Sequence, residues 1–461
     1  VERCAAYLNA PKDAAPLVAF RIIFGALMAF ESFASYLHKI PEHYSPDLHH
    51  FTYAGFHWVA PPGGAGIYAV VAAMGLAAFC VTIGYRYRIA ALAYALLYSY
   101  LFLIERTAYN NHYYLIILLS FMFVAVNAHA DASLDSGRFP PGKRGWVPAW
   151  QIDIFRAQFA LVYFFGGVAK LSPDWLRREP ITHWLGVRAE HLIAGPVLEL
   201  AFVPYLLAYG GLVFDLTIGF LLLWKRTRPA AIVLAVAFHL TNAYLFSIGV
   251  FPWLGIGALV LFLEGGSVRG ILTRMGYAAG TVQFPSVAFG LRSRWPLAFC
   301  TVYLLLQCLV PLRHWCYPGD VNWTEQGHEF SWRMKLRDKE GQIRFRVEDR
   351  ATGRSDVLDF WALQDFLTVR QIRDVSCKPE LAAQFARHLR ARYIERGFVD
   401  PGIYADSLVS LNGRPYQPLL NPAVDLASLN EGRWRAAAWL LPLDPHAAPG
   451  LYPPPPETFN R

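Results

Sequence analysis

Apolar residues in this chain gather into runs long enough to cross a bilayer, separated by short loops that carry much of the charge. A helical span needs about 17–25 mostly apolar residues. By that measure nine segments are predicted to cross: 16–36, 66–84, 88–104, 113–128, 152–170, 206–224, 229–248, 251–263 and 296–312. Residues 183–203 are moderately apolar but hold Arg188, Glu190, His191 and Pro196, which predicts an interfacial or re-entrant helix. The pattern changes after Pro311. Residues 329–348 alternate apolar and polar around Lys339-Glu340-Gly341, which predicts a β-hairpin. Residues 379–396 have apolar positions at helical spacing, and 402–411 read as another strand. Residues 451–456 end the pattern as a proline-rich extended tail. The fold class expected is an α-helical polytopic membrane protein, transmembrane over 1–312, with a C-terminal α+β extracytoplasmic domain over 313–461.

Composition supports this reading. Of 461 residues, 55% are hydrophobic and 16% charged, well below the ~25% charged of soluble domains. The net charge of +8 is accounted for by basic loops at Arg86/Arg88, Arg138/Lys143/Arg144, Lys225/Arg226/Arg228 and Arg269/Arg274/Arg292/Arg294. With nine spans all four loops share one side, which the positive-inside rule makes cytoplasmic. The N-terminus is then inside and everything after Leu312 outside. The first apolar stretch lacks a small-residue cleavage site and is expected to be a retained anchor. Nothing points to nucleic acid. The six cysteines form no CxxC or metal-ligand spacing, so no zinc site is expected. Cys316 and Cys377 both fall on the outer side, where they can pair or stay free.

Against this background, polar side chains at membrane depth stand out, because they are costly there and default to functional roles. Lys170 ends the fifth span, and a desolvated lysine releases its proton readily and can act as a base. Equally, such a lysine can snorkel and anchor a helix end. Asn110-Asn111-His112 opens the fourth span, where Asn111 can serve as a helix cap. Arg156, Gln158 and Tyr163 lie in the fifth, Arg156 with donors suited to tying helices together. In the seventh, His239 and Asn242 are three residues apart and share a face; the alternative for each is an interhelical hydrogen bond. Two histidines without a carboxylate at ligand spacing make a poor metal set. Proton abstraction from a lipid-soluble molecule suits the group better.

Several segments match one family in order along the chain. Val162-Tyr163-Phe164-Phe165-Gly166-Gly167-Val168-Ala169-Lys170-Leu171 with Asp174-Trp175 resembles the most characteristic segment of the vitamin K-dependent γ-glutamyl carboxylases. So do Asn110-Asn111-His112-Tyr113-Tyr114-Leu115, Phe238-His239 with Asn242 and Leu245-Phe246-Ser247-Ile248-Gly249, and Asn322-Trp323-Thr324 with Ser331-Trp332. The resemblance implies oxygenation of reduced vitamin K to its epoxide by O2, with removal of a γ-proton from a peptide glutamate and capture of CO2. It implies Lys170 as the base that deprotonates the hydroquinone, with His112, Asn111 and His239 assisting. It puts Trp175, Trp323, His328 and Trp332 in or near the quinone and glutamate pocket, and the membrane-depth residues Arg156, Tyr163 and Asn242 are expected to line it with them. No metal is expected. The partners implied are membrane lipid and a glutamate-containing exported peptide or protein, and the short type suits a bacterial inner membrane.

The chain departs from the family pattern in places. His328 replaces an aromatic hydroxyl, Arg337 replaces a nearby histidine, Ala169 precedes the key lysine, and the family's cysteine pair has no evident counterpart. These changes bear on substrate recognition more than on quinone chemistry. Two other functions stay open on the residues alone: a quinol epoxidase that carboxylates no peptide, and a non-catalytic quinone- or lipid-binding membrane protein.

Overall fold

Each apolar run winds into a helix because a bilayer leaves backbone groups no partner but one another. The structure is a computed structural model that describes residues 1–44, 48–138, 143–189, 195–246, 248–277, 293–429 and 439–446. Glu190, His191, Ser247, Arg292 and the tail at 451–456 lie outside the described residues. The membrane part contains α1 (Ala15–Glu31, continued to Pro41 through a π-helical turn), α2 (Gly66–Ile83), α3 (Tyr87–Ile104), α4 (Asn111–Ala125), α5 (Trp150–Ala169), α6 (Glu179–Ala189), α7 (Val203–Leu223), α8 (Arg228–Leu245), α9 (Phe251–Ala258), α10 (Gly265–Arg274) and α11 (Trp295–Leu312). Among the described residues α1, α2, α3, α5, α7 and α11 are long and apolar enough to cross a membrane. Pro204, Pro229, Pro252 and Pro296 open α7, α8, α9 and α11, where a missing N–H costs nothing.

The other expected spans take different forms. Helix α4 is apolar but only 15 residues long. Helix α8 has 18 residues, with His239, Thr241 and Asn242 in its outer half. The eighth segment breaks: α9 runs through a 3-10 turn to Phe262 and the chain then bends by 117° into α10. Leu263 and Glu264 are extended at the break, and Gly265 follows, where a Cβ would sit 2.4 Å from Asp13 Cβ. The segment predicted as interfacial forms α6 and a short turn, Gly195–Leu198, neither long enough to span.

The outer domain is an antiparallel sheet of β1 (Lys339–Asp349), β2 (Ser355–Leu358), β3 (Pro401–Leu411) and β4 (Gln417–Pro418), in the order β2-β1-β3-β4. Two helices, α12 (Val369–Cys377) and α13 (Pro379–Glu395), share its core. Ile343, Phe345 and Val347 turn inward from β1 while Arg344, Arg346 and Glu348 alternate outward, the period of a half-buried strand. The hairpin predicted around Lys339-Glu340-Gly341 is not formed. Those residues lie inside β1, paired with Leu411, Ser410 and Val409. Gly341 is there for close packing, since a Cβ would meet Val409 and Cys377 at 3.1 and 3.2 Å. The turn falls later, where the Asp349 carboxylate accepts from Ala351 N–H and Thr352 O–H and Gly353 takes φ +72°. Residues 329–338 form an irregular loop instead. Cys316 and Cys377 are both free thiols, one exposed and one buried.

Two clamps fix the outer domain over the membrane part. At the end of α3, Glu105 accepts from Gln371 (3.0 Å), and Arg106 pairs with Glu329 (3.1 Å) and Glu380 (2.5 Å). On the other side Asp174, just after α5, receives Arg414 (2.8 and 2.9 Å) and Asn412 (2.7 Å). Burial alone would raise the Asp174 carboxyl, but Arg414 holds it below the usual carboxylate range. Phe51, from the loop between α1 and α2, reaches into the outer core.

Candidate active site

Helices α5 and α7 approach closely along a seam of small residues. A Cβ on Gly167 would lie 2.8 Å from Leu216, and one on Gly219 would lie 2.9 Å from Ala160 Cβ. Small residues let membrane helices pack backbone to backbone. The seam sets Asp215, in the middle of α7, beside Lys170, the residue that ends α5. Lys170 Nζ donates to Asp215 Oδ2, and both side chains are buried. The Trp175 ring lies 5.2 Å from the same nitrogen and is itself fixed by Nε1 donating to the Ala208 carbonyl at 2.9 Å. The amine therefore sits between a carboxylate and an aromatic face, not among apolar walls alone as its position in the sequence implies.

These groups line a cavity of about 770 Å³, within the 300–1,000 Å³ typical of small-molecule sites. Its long wall is apolar and comes from α7 and α8, through Leu206, Gly210, Val213, Leu234 and Phe238. Leu206, Val213 and Leu234 are also exposed on the outer face of the bundle, so the cavity opens sideways where lipid would lie. The Phe214 and Phe238 rings stack at 4.0 Å between the two helices.

Most of the residues singled out from the sequence converge here. Lys170, Asn111, His112, Tyr163, Asn242, Trp175 and His328 all line the cavity. His239 stands one step behind, its Nε2 2.7 Å from the Tyr163 hydroxyl. Gly255 makes room for that ring, because a Cβ there would sit 2.3 Å from it. Asn111 is not a helix cap. Its amide donates to the Arg333 carbonyl (2.9 Å) and its oxygen accepts from Tyr109 (2.9 Å), which ties α4 to the outer loop.

Arg156, Trp323 and Trp332 lie away from the cavity. Arg156 lies about 21 Å from Lys170 along α5; it donates to the Leu261 carbonyl and pairs with Asp153, bracing the α9 break. Trp323 belongs to the outer core, with Nε1 bonded to the Leu441 carbonyl. Trp332 is buried against Tyr114, ring centroids 5.1 Å apart. All three carry polar atoms that packing satisfies elsewhere or covers, and none lines the cavity.

The outer end of the cavity is made by the loop from Asn322 to Arg337. Glu325 pairs with Arg337 and, at 3.3 Å, with Lys339. Burial would raise this carboxyl, but the two cations overcome it and bring it down to about 2. His328 is pushed well below the usual histidine range, first by burial and then by Arg337; its neutral ring accepts from Arg337 at 2.8 Å. Glu325, Phe330, Trp332 and Lys335 all take positive φ, between 48° and 65°. Such non-glycine strain persists only where surrounding contacts hold it, and it gathers at functional sites.

Asp215, Glu325 and Arg333 were not singled out from the sequence. Asp215 was detectable by the rule that found Lys170, since it is the lone acid in an otherwise apolar span. Among the described residues no group of three or more His, Cys, Asp and Glu side chains is arranged to hold a metal ion. The family model of the HTTM domain matches residues 9–265. That of the vitamin K-dependent gamma-carboxylase lumenal domain matches residues 292–446. No solved structure matches the chain.

Proposed function

The chain belongs to the vitamin K-dependent gamma-carboxylase family, and from that footing we propose that it carboxylates glutamate side chains of exported peptides while oxygenating reduced vitamin K to the epoxide. Reduced vitamin K, on reaction with O2, supplies a base strong enough to remove a γ-proton from glutamate, and the γ-carbon then bonds to CO2. The observation that carries this function is the Lys170–Asp215 pair, buried in the lining of an apolar cavity that a loop of the lumenal domain closes on one side.

The cavity suits a fused-ring quinol with a long apolar tail: its long wall is hydrocarbon and its side faces lipid. Lys170, as the neutral amine, takes the hydroxyl proton of the bound quinol. Asp215 holds the ammonium that results, so that the charge formed is neutralised in place. Trp175 confines the amine. His112, with Asn111 next to it fixing the start of α4, presents a ring to the oxygen that gains negative charge, an oxyanion-type role. Tyr163 is oriented by His239. The outer loop receives the peptide on the extracytoplasmic side, and the N-terminus lies in the cytoplasm of a bacterial cell.

A second function is favoured by one observation. His328 and Arg337, two departures from the family pattern, both line the peptide end of the cavity. An enzyme altered there retains quinol epoxidation without carboxylating a peptide. One assay separates the two: reduced vitamin K, a glutamate peptide and labelled bicarbonate, followed for epoxide and fixed carbon. Both products are expected. Epoxide alone, with the cognate peptide present, supports epoxidation without carboxylation, and neither product leaves a binding protein.

A further inference from the structure

Three buried donors of the outer loop, Asn322 Nδ2, Trp332 Nε1 and Arg333 Nε, have no partner. Arg333 is 5% exposed and lines the cavity. Its Nη2 donates to Asn322 Oδ1 at 3.1 Å, while its Nε has no partner. Asn322 is fully buried, and its own Nδ2 also lacks an acceptor. Among the described residues no carboxylate lies within ion-pair distance of Arg333. Glu325, the acid of the same loop, is taken up by Arg337 and Lys339.

Other guanidinium groups in the molecule are treated differently. Arg106, Arg269 and Arg414 each pair with two carboxylates. Arg21, fully buried, gives its terminal nitrogens to four backbone carbonyls. A buried guanidinium with one neutral acceptor is costly, and an anion of matching shape removes that cost. Burial draws Arg333 down only to about 10, so it stays charged at neutral pH.

Its position joins it to the reacting groups. The Arg333 carbonyl accepts from Asn111, the neighbour of His112. The next residue, Met334, packs against Gly166, where a Cβ would lie 3.7 Å from the Met334 methyl and 3.3 Å from Asp215 Oδ2.

We propose that Arg333, backed by Asn322, binds the γ-carboxylate of the peptide glutamate. The guanidinium offers a planar fork that matches a carboxylate. Held there, the carboxylate exposes its neighbouring γ-carbon to the cavity. When the γ C–H bond breaks, the proton goes to the oxygen base formed from reduced vitamin K and O2. The electron pair stays on carbon beside the carboxylate, where the cation lowers its energy, until a C–C bond forms with CO2. That role rests on the carboxylation chemistry proposed above and names the residue that selects its substrate.

The test uses the full-length protein in lipid nanodiscs and two fluorescent peptides that differ only in a central Glu or Gln. Wild type is expected to bind the Glu peptide about tenfold to a hundredfold more tightly than the Gln peptide. Arg333→Gln is expected to erase that preference while leaving the Gln-peptide affinity within twofold, an outcome that unfolding cannot imitate. Arg333→Lys keeps the charge without the fork and retains part of the preference. Undiminished preference in Arg333→Gln overturns the assignment and leaves the carboxylase function standing. No preference in wild type overturns both. Bicarbonate that displaces a probe bound through Arg333, with no Glu-over-Gln preference, assigns the guanidinium to dissolved carbonate and likewise overturns the proposal.

Discussion

Two parts of the cavity lining are built from different materials. In the membrane part, Lys170 and Asp215 stand on two helices locked along a glycine seam, and their geometry follows from helix packing. At the outer end, Glu325, His328, Arg333 and Arg337 stand on an irregular loop with several left-handed residues, held by ion pairs and by Asn111 and Tyr109. Helix packing tolerates the loss of one polar atom without moving the backbone. A loop held by charges does not. Substitutions in the membrane part should therefore change chemistry, whereas those at the outer end should change recognition and stability.

The sharpest way to break this comparison is Lys170→Ala. Epoxide formation is expected to fall on the order of a thousandfold or more, with helical circular dichroism close to wild type. Full epoxidation by that variant would show the base to be misassigned. Asp215→Asn keeps the shape of the partner and removes its charge. A drop in epoxidation of about tenfold to a hundredfold is expected in kcat more than in KM for the quinol. Its amide oxygen still accepts from Lys170, so thermal unfolding is expected to stay close to wild type. Unchanged kcat would make Asp215 a spectator.

The outer end is probed through pH. The Glu325 carboxyl, near 4.5 when unfolded, titrates near 2 when folded, so its contribution is fully present above about pH 4.5 and is lost as pH falls toward 2. The size is on the order of 3 kcal/mol. Glu325→Gln should lower stability at pH 6 and flatten its decline between pH 5 and pH 3. An equally steep decline in the variant would assign the acid sensitivity to other groups. The smallest effect is expected on the lipid-facing wall. A Cβ at Gly211 meets nothing within 4 Å, so Gly211→Phe should fold normally. It should raise KM several-fold for a long-tailed quinol and leave a short-tailed one unaffected. Equal changes for both would place the tail elsewhere.

Much of the architecture was legible in the sequence because its signals are local. An apolar run declares a helix by length alone, alternation at 343–347 declares a strand, and helical spacing located α13 within a residue or two of its ends. Polar exceptions such as Lys170, His112 and His239 were visible because their surroundings in sequence are apolar. Local pattern failed where two distant segments decide the outcome. Lys339-Glu340-Gly341 has the composition of a turn, yet eleven register pairs with Pro401–Leu411 hold it straight. The eighth span has a membrane composition, yet the chain breaks after Phe262 and packs Gly265 against Asp13.

The sequence by itself determined that this chain crosses a membrane, carries an outer α+β domain and keeps a basic and aromatic set of residues at helix ends. All of that follows from the cost of polar groups in hydrocarbon, which each residue meets alone. Only the tertiary structure decided which of those residues share one cavity. It paired Lys170 with Asp215, set His239 behind Tyr163, and sent Arg156 to brace a helix break about 21 Å away. It also left Arg333 buried beside a neutral amide. Pairing of charges is a property of distances between helices and loops far apart in the chain, and no local pattern encodes it.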